Sequence, residues 1–115
     1  MLLGFNTTNS LTFNAYVGGT SVASIGPITI SPNTWYHLSM TFNNGIYSLY
    51  LNGIKMQTAS GSTAPPSVTT PTNIFIGKSN WSADPYMLGG QTDIRFYNKA
   101  LSDIDIQNIF NIGPC

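Results

Sequence analysis

Apolar and polar residues alternate along most of the chain. Leu11, Phe13, Ala15 and Val17 recur at every second position, and the run stops at Gly18-Gly19. That period puts all four on one face of a strand that ends in a turn. "SVAS" (residues 21–24) and "PITI" (27–30) read as two further short strands, with Pro27 suited to an edge or a strand start. From Trp35 to Phe42 the even positions are Tyr36, Leu38, Met40 and Phe42, and the odd ones are Trp35, His37, Ser39 and Thr41. The alternation predicts a strand with one face on a core. Asn43-Asn44-Gly45 and Asn52-Gly53 then separate two more β-rich runs, 46–51 and 54–59. Asn and Gly accept positive φ, so both are hairpin corners, and residues 35–59 form a three-stranded meander. Leu38, Met40, Phe42, Leu49, Leu51 and Ile76 are the predicted core of this half.

Residues 59–72, "ASGSTAPPSVTTPT", make a Pro/Ser/Thr-rich loop between strands. "NIFIG" (73–77) and residues 91–97 are predicted strands, separated by the polar loop 78–90 with its Trp81, Tyr86 and Met87. "LSDIDIQNIF" is the one helical candidate. Ser102 can cap it, Asp103 and Asp105 lie in its first turn, Ile106, Ile109 and Phe110 share a face, and Gly113-Pro114 ends it. Eight or nine short strands with one terminal helix predict an all-β fold, an antiparallel β-sandwich.

Charge narrows the function. Of 115 residues only four are basic and four acidic, for a net charge of zero. A basic footprint for nucleic acid is absent, and no apolar run is long enough for membrane insertion as a helix. So few charges leave a surface of Asn, Ser, Thr and Gly, or a face covered by a partner. Cys115 is the one cysteine, which excludes an internal disulfide and leaves either a free thiol or an intermolecular bond. Asn6-Thr7-Thr8 and Asn80-Trp81-Ser82 fit the N-glycosylation sequon.

The ordered set "NTWYHLSMTFNNGIYSLYLNGIKM", "NIFIGKS" and "MLGGQTDIRFYNKALSDIDI" resembles the laminin-G-like branch of the concanavalin-A-like lectin/glucanase superfamily. Trp35, His37, Tyr50, Asn52, Gly53, Ile76, Gly77, Gly89 and Gly90 carry the resemblance. Asp93, Arg95, Tyr97, Asn98, Ala100, Leu101 and Ser102 complete it. The match is strongest over residues 33–110. It implies a single domain, residues 1–115, of jelly-roll type. Such domains usually carry another strand or two before a segment like "MLLGF", so either the chain is a natural minimal version or N-terminal strands are missing and a sheet edge is open. An open edge is expected to be paired by a second copy, a swapped strand or another chain.

The resemblance also frames the chemistry. Hydrolytic relatives place paired carboxylates on one strand, as Glu-x-Asp-x-x-Glu, because glycoside cleavage needs an acid and a base across the bond. This chain has no glutamate, and Asp84, Asp93, Asp103 and Asp105 fall in a loop, a predicted strand and a helix start. The expectation is no enzyme. His37 and Trp35 are expected to be structural, the histidine with its ring nitrogens bonded internally, and Asp93 with Arg95 is expected to be a structural ion pair. Many relatives bind calcium through Asp, Asn and backbone oxygens at the sandwich rim. The candidates here are Asp84 and Asn80, but one carboxylate is a poor cage for a cation that wants six to eight oxygens, so no cofactor is expected. In the same loop Trp81 and Tyr86 offer flat faces for a sugar ring, with Asn80 and Asp84 beside them. The expected function is a non-catalytic recognition module for a glycan or protein ligand, extracellular or exposed on a cell or virion. The alternative is a structural module of a surface assembly whose open edge other chains cover.

Overall fold

In a computed structural model of the protein, residues 2–7, 9–17, 20–61, 75–79 and 81–114 are described. The strands are β1 (Leu2–Thr7), β2 (Ser10–Val17), β3 (Thr20–Thr29), β4 (Leu38–Asn43), β5 (Ile46–Leu51) and β6 (Ile54–Ser60), followed by helix α1 (Asp103–Ile112). They form two antiparallel three-stranded sheets, β1-β2-β3 and β4-β5-β6, each a meander. "SVAS" and "PITI" are not separate strands but parts of β3. An extra residue there, between the partners of Leu11 and Phe13, is absorbed as a bulge around Gly26-Pro27.

The core lies between the sheets. Leu11, Phe13 and Ala15 of β2 and Ala23, Ile25 and Ile28 of β3 meet Tyr47 and Leu49 of β5. Tyr36, Leu38, Met40, Phe42 and Leu51 pack against this cluster while only partly buried. The period-two prediction therefore assigned the correct face of the meander. Phe13, Tyr47 and Phe42 stack in series, with centroids 5.5 and 4.6 Å apart. At the exposed margin of the sheets, the Gly26 amide donates to Gln57 Oε1 at 2.8 Å, which ties β6 to β3.

Both Asn-Gly corners are two-residue hairpins. Asn44 and Gly45 have φ of 48° and 79°, and Asn52 and Gly53 have 51° and 78°, the doubly positive geometry that matches strand twist. Asn52 does more than turn the chain. Its Oδ1 accepts the His37 amide at 2.9 Å while its own amide donates to the His37 carbonyl at 2.8 Å. Strand β4 therefore starts at Leu38 rather than Trp35, because His37 is held by this clamp. Gly53 is the landing point of α1, where an added Cβ would sit 3.1 Å from Phe110 Cβ.

The helix forms as its caps predict. The Ser102 hydroxyl accepts the Asp105 amide and the Asp105 carboxylate accepts the Ser102 amide, a full capping box. Ile106 is buried, Ile109 is half-buried, and Phe110 covers Gly53 and the His37 ring, 5.8 Å between centroids.

Several expectations fail. Residues 91–97 do not join a sheet: Asp93 takes φ 54°, which breaks an extended run. Its carboxylate is instead gripped by Arg95 through two 2.6 Å bonds, so the expected ion pair exists without the expected strand. Residues 73 and 74 lie outside the described residues, and Phe75 to Gly77 bend instead of pairing. Gly77 has φ 75° and its carbonyl accepts the Met87 amide at 2.8 Å, closing a loop. Ile76 is accordingly 54% exposed and not in the core. Finally, His37 Nδ1 is buried with no hydrogen-bond partner among the described residues, contrary to the internally bonded ring the resemblance implied. Trp35 is largely exposed, with its ring edge against Gly90.

Two outcomes follow from this packing. Leu49→Ala, at a fully buried site, is expected to cost about 2–5 kcal/mol in chemical denaturation, while Ile76→Ala is expected to change stability by no more than about 0.5 kcal/mol. The second concerns His37. Burial lowers its pKa below the ordinary 6.5, the Arg95 guanidinium lowers it further, and Asp93 partly opposes this. The unfolded chain therefore binds the proton more readily than the folded one. The contribution of a neutral His37 is full above the unfolded pKa of about 6.5 and is lost as pH falls toward the depressed folded value. Stability measured between pH 7 and 5 should decline, and His37→Gln should flatten that slope.

Candidate functional site

Two regions carry exposed or concave chemistry. The first is the loop around residues 75–90. Its backbone is held by the Met87–Gly77 bond, by the Asp84 amide donating to the Trp81 carbonyl at 3.1 Å, and by the Trp81 amide donating to Ser79 Oγ at 3.1 Å. Trp81 is 45% exposed, and its ring meets Tyr16 edge to face at 5.0 Å. Tyr16 follows buried Ala15 on β2, so strand alternation puts it on the face turned away from the core. Trp81 thus leans on the outside of the first sheet with about half of its surface free. Tyr86 is 73% exposed. The Lys78 ammonium lies 4.6 Å from the Phe75 centroid and 5.7 Å from that of Tyr86, which spaces these rings around a cation.

Of the predicted ligand residues, Trp81, Tyr86 and Asp84 are therefore on one exposed loop, while Asn80 lies outside the described residues. Asp84 is exposed. Among the described residues no three His, Cys, Asp or Glu side chains come close enough to hold a metal ion.

The second region had no signal in the hydrophobic period. On the outward face of the second sheet, β5 carries Ile46, Ser48 and Tyr50, with Thr41 opposite Ser48 and Asn43 opposite Ile46. A bulge in β6 gives Leu49 and Tyr50 the partners Gln57 and Lys55, skipping Met56. This slip brings Lys55, rather than Met56, beside Tyr50. The turn before α1 closes over the same face. An open cleft of about 540 Å³ results, lined by Thr41, Asn43, Ser48, Tyr50, Lys55 and Asp103 among others.

Asp103 anchors one side. Its Oδ1 accepts the Tyr50 hydroxyl at 2.8 Å and meets Lys55 Nζ at 2.7 Å, while the ammonium sits 5.5 Å from the Tyr50 centroid. The hydrogen bond from Lys55, then that from Tyr50, holds the Asp103 carboxyl below its usual range. The reciprocal bond raises Lys55. Asp105 is likewise lowered by the Ser102 hydroxyl and amide. Asp93 is bonded to Arg95, so three of the four carboxylates are engaged inside the structure and Asp84 stands apart in its loop. No two of them form an acid/base pair across an open groove.

Among the described residues no helix is long and apolar enough to cross a membrane. No curated protein sequence matches the chain. A crystal structure of residues 221–444 of an S-layer domain-containing protein from Clostridium thermocellum ATCC 27405 is similar, with a TM-score of 0.62 and 21% sequence identity. The similarity covers 96% of this chain and 61% of that one, so the chain spans about three fifths of its solved neighbour. The Laminin_G_3 model, described as the concanavalin A-like lectin/glucanases superfamily, matches residues 1–107. That span takes in both sheets, the aromatic loop and the start of α1, and the chain accordingly belongs to the laminin-G-like family of the concanavalin A-like superfamily.

Proposed function

We propose that the domain is a non-catalytic recognition module that binds carbohydrate through the loop carrying Trp81 and Tyr86, on a protein displayed outside the cell or on a surface. The observation that carries this reading is the half-exposed Trp81, braced edge-on by Tyr16 and followed at a short distance in sequence by exposed Tyr86. Braced aromatic faces lose little freedom when a sugar ring stacks on them. Family membership supports the ligand class. That the structural neighbour is part of an S-layer domain-containing protein supports a surface location. The engagement of Asp93, Asp103 and Asp105 in internal bonds supports the absence of catalysis, since each would have to give up a structural partner to act as acid or base.

A second reading is an assembly module. Ile94 and Phe96, within the segment 91–97 that does not pair as a strand, are exposed, as is Leu88 just before it. A second copy or another chain bonded along a sheet edge would cover such surface. Light scattering over a dilution series tests the second-copy form: a concentration-dependent dimer supports it, and a monomer at every concentration ends it.

On a glycan array the wild-type domain is expected to give a defined profile. Trp81→Ala should weaken the recognised glycans at least tenfold, about 1.4 kcal/mol, with a cooperative unfolding transition retained. An unchanged profile, or a domain that no longer folds, would make Trp81 a packing residue. Incubation with β-glucans should release no reducing ends. Turnover that disappears on changing any one of the four Asp to Asn would establish an enzyme instead.

A further inference from the structure

We propose that Asn44 is a site of spontaneous covalent modification, converting to isoaspartate through a cyclic imide, and that the fold shields Asn52 from the same reaction. Neither the aromatic loop nor any ligand is involved.

The reaction needs only water. The backbone nitrogen of the following residue loses its proton to solvent and attacks the asparagine Cγ. A C–N bond forms, the Cγ–Nδ2 bond breaks and ammonia leaves, which closes the imide ring. Water then reopens it. Cleavage between the nitrogen and Cγ gives aspartate. Cleavage between the nitrogen and the main-chain carbonyl carbon gives isoaspartate, in which the chain runs through the former side chain. A following glycine favours the attack because no Cβ obstructs its nitrogen. A following β-branched residue crowds it.

Three asparagines among the described residues hold a left-handed backbone: Asn33, Asn44 and Asn52, with φ of 55°, 48° and 51°. Asn33 is exposed, but Thr34 follows it. Asn44 and Asn52 are each followed by Gly-Ile, and Gly45 and Gly53 have φ of 79° and 78°. The two corners are thus chemically matched, and only their surroundings differ. Asn44 is exposed and its side chain bonds no described residue. Little covers Gly45, where an added Cβ would meet only the Gly61 carbonyl oxygen, at 3.4 Å. Asn52 Oδ1 is held by the His37 amide at 2.9 Å, and Gly53 is buried beneath Phe110 and Gln107.

A left-handed corner keeps Cγ away from the next nitrogen, so the corner has to open before the ring can close. At Asn44, opening disturbs the last pair of the β4–β5 hairpin, Asn43 with Ile46, both exposed. It also strains the Gly61 amide bond to the Gly45 carbonyl at 2.7 Å. At Asn52, opening breaks both bonds to His37 and unseats Phe110 in the last turn of α1. Openings that part few contacts are frequent, and those that must separate several elements are rare. The product at Asn44 adds an atom to the backbone of the corner. It also puts a carboxylate in place of a neutral amide, next in sequence to Asn43 on the rim of the cleft. A net charge of zero becomes −1, so the domain acquires with age a repulsion between copies that it lacks when new.

The test is incubation of the full chain at physiological temperature and mildly alkaline pH, followed by proteolytic mapping with electron-transfer fragmentation, which distinguishes isoaspartate from aspartate. Asn44 should convert at least tenfold faster than Asn52, with isoaspartate exceeding aspartate, and Asn33 should stay intact. In chain unfolded by guanidinium chloride, Asn44 and Asn52 should convert at similar rates. Equal rates in the folded domain, or no more conversion at Asn44 than at Asn33, would overturn the assignment of Asn44. A tenfold gap that persists in the unfolded chain would overturn the shielding, because the difference would then lie in the local sequence and not in the fold.

Discussion

The corner at Asn52-Gly53 is the constraint on which the rest of the molecule depends. The doubly positive φ turns β5 into β6, the Asn52 side chain and amide fix His37 and so the start of β4, and the absence of a side chain at Gly53 lets Phe110 settle on the corner. One dipeptide thereby sets the register of the second sheet, the entry of the loop before it and the seat of the helix. Asn can do the first two because its side chain tolerates the left-handed region and carries an acceptor at the right reach. Gly is required for the third because even a methyl group would crowd Phe110 and the helix backbone at Gln107.

What the sequence made legible were the features with a short physical range. A period of two on Leu11, Phe13 and Ala15, and on Leu38, Met40 and Phe42, reports directly which face is apolar, and the structure turns those faces inward. The Asn-Gly corners and the Ser102 cap are readable because a few adjacent atoms decide them. The strands expected at 73–77 and 91–97 fail for the opposite reason. Apolar residues such as Ile76, Ile94 and Phe96 fit a ladder only if a neighbouring strand accepts their amides. Instead Gly77 closes a loop and Asp93 turns the backbone to meet Arg95. Pairing is a property of two segments, and one segment's pattern reports only half of it.

The sites divide along the same line. An aromatic residue in a polar loop announces itself, and Trp81 and Tyr86 are exposed as that position suggests. The cleft is invisible in the pattern because it requires a slip at Met56 to place Lys55 beside Tyr50, and a helix cap fifty residues later to bring Asp103 to both. Its only sequence trace is the run of Thr41, Asn43 and Ser48 on the polar side of two strands, which reads equally as an ordinary solvated face.

The tying of the few charges to one another also has a kinetic side. Lys55 with Asp103 and Arg95 with Asp93 are closed dipoles, Asp105 keeps its charge within the Ser102 cap, and the net charge is zero. A surface built this way projects almost no field beyond the Debye length of about 8 Å at physiological ionic strength. A partner of such a surface would arrive by unsteered diffusion, at the roughly 10⁵–10⁷ M⁻¹s⁻¹ typical of proteins without electrostatic guidance. Discrimination would then fall to how long a partner stays rather than how quickly it comes, with little dependence of the encounter on salt.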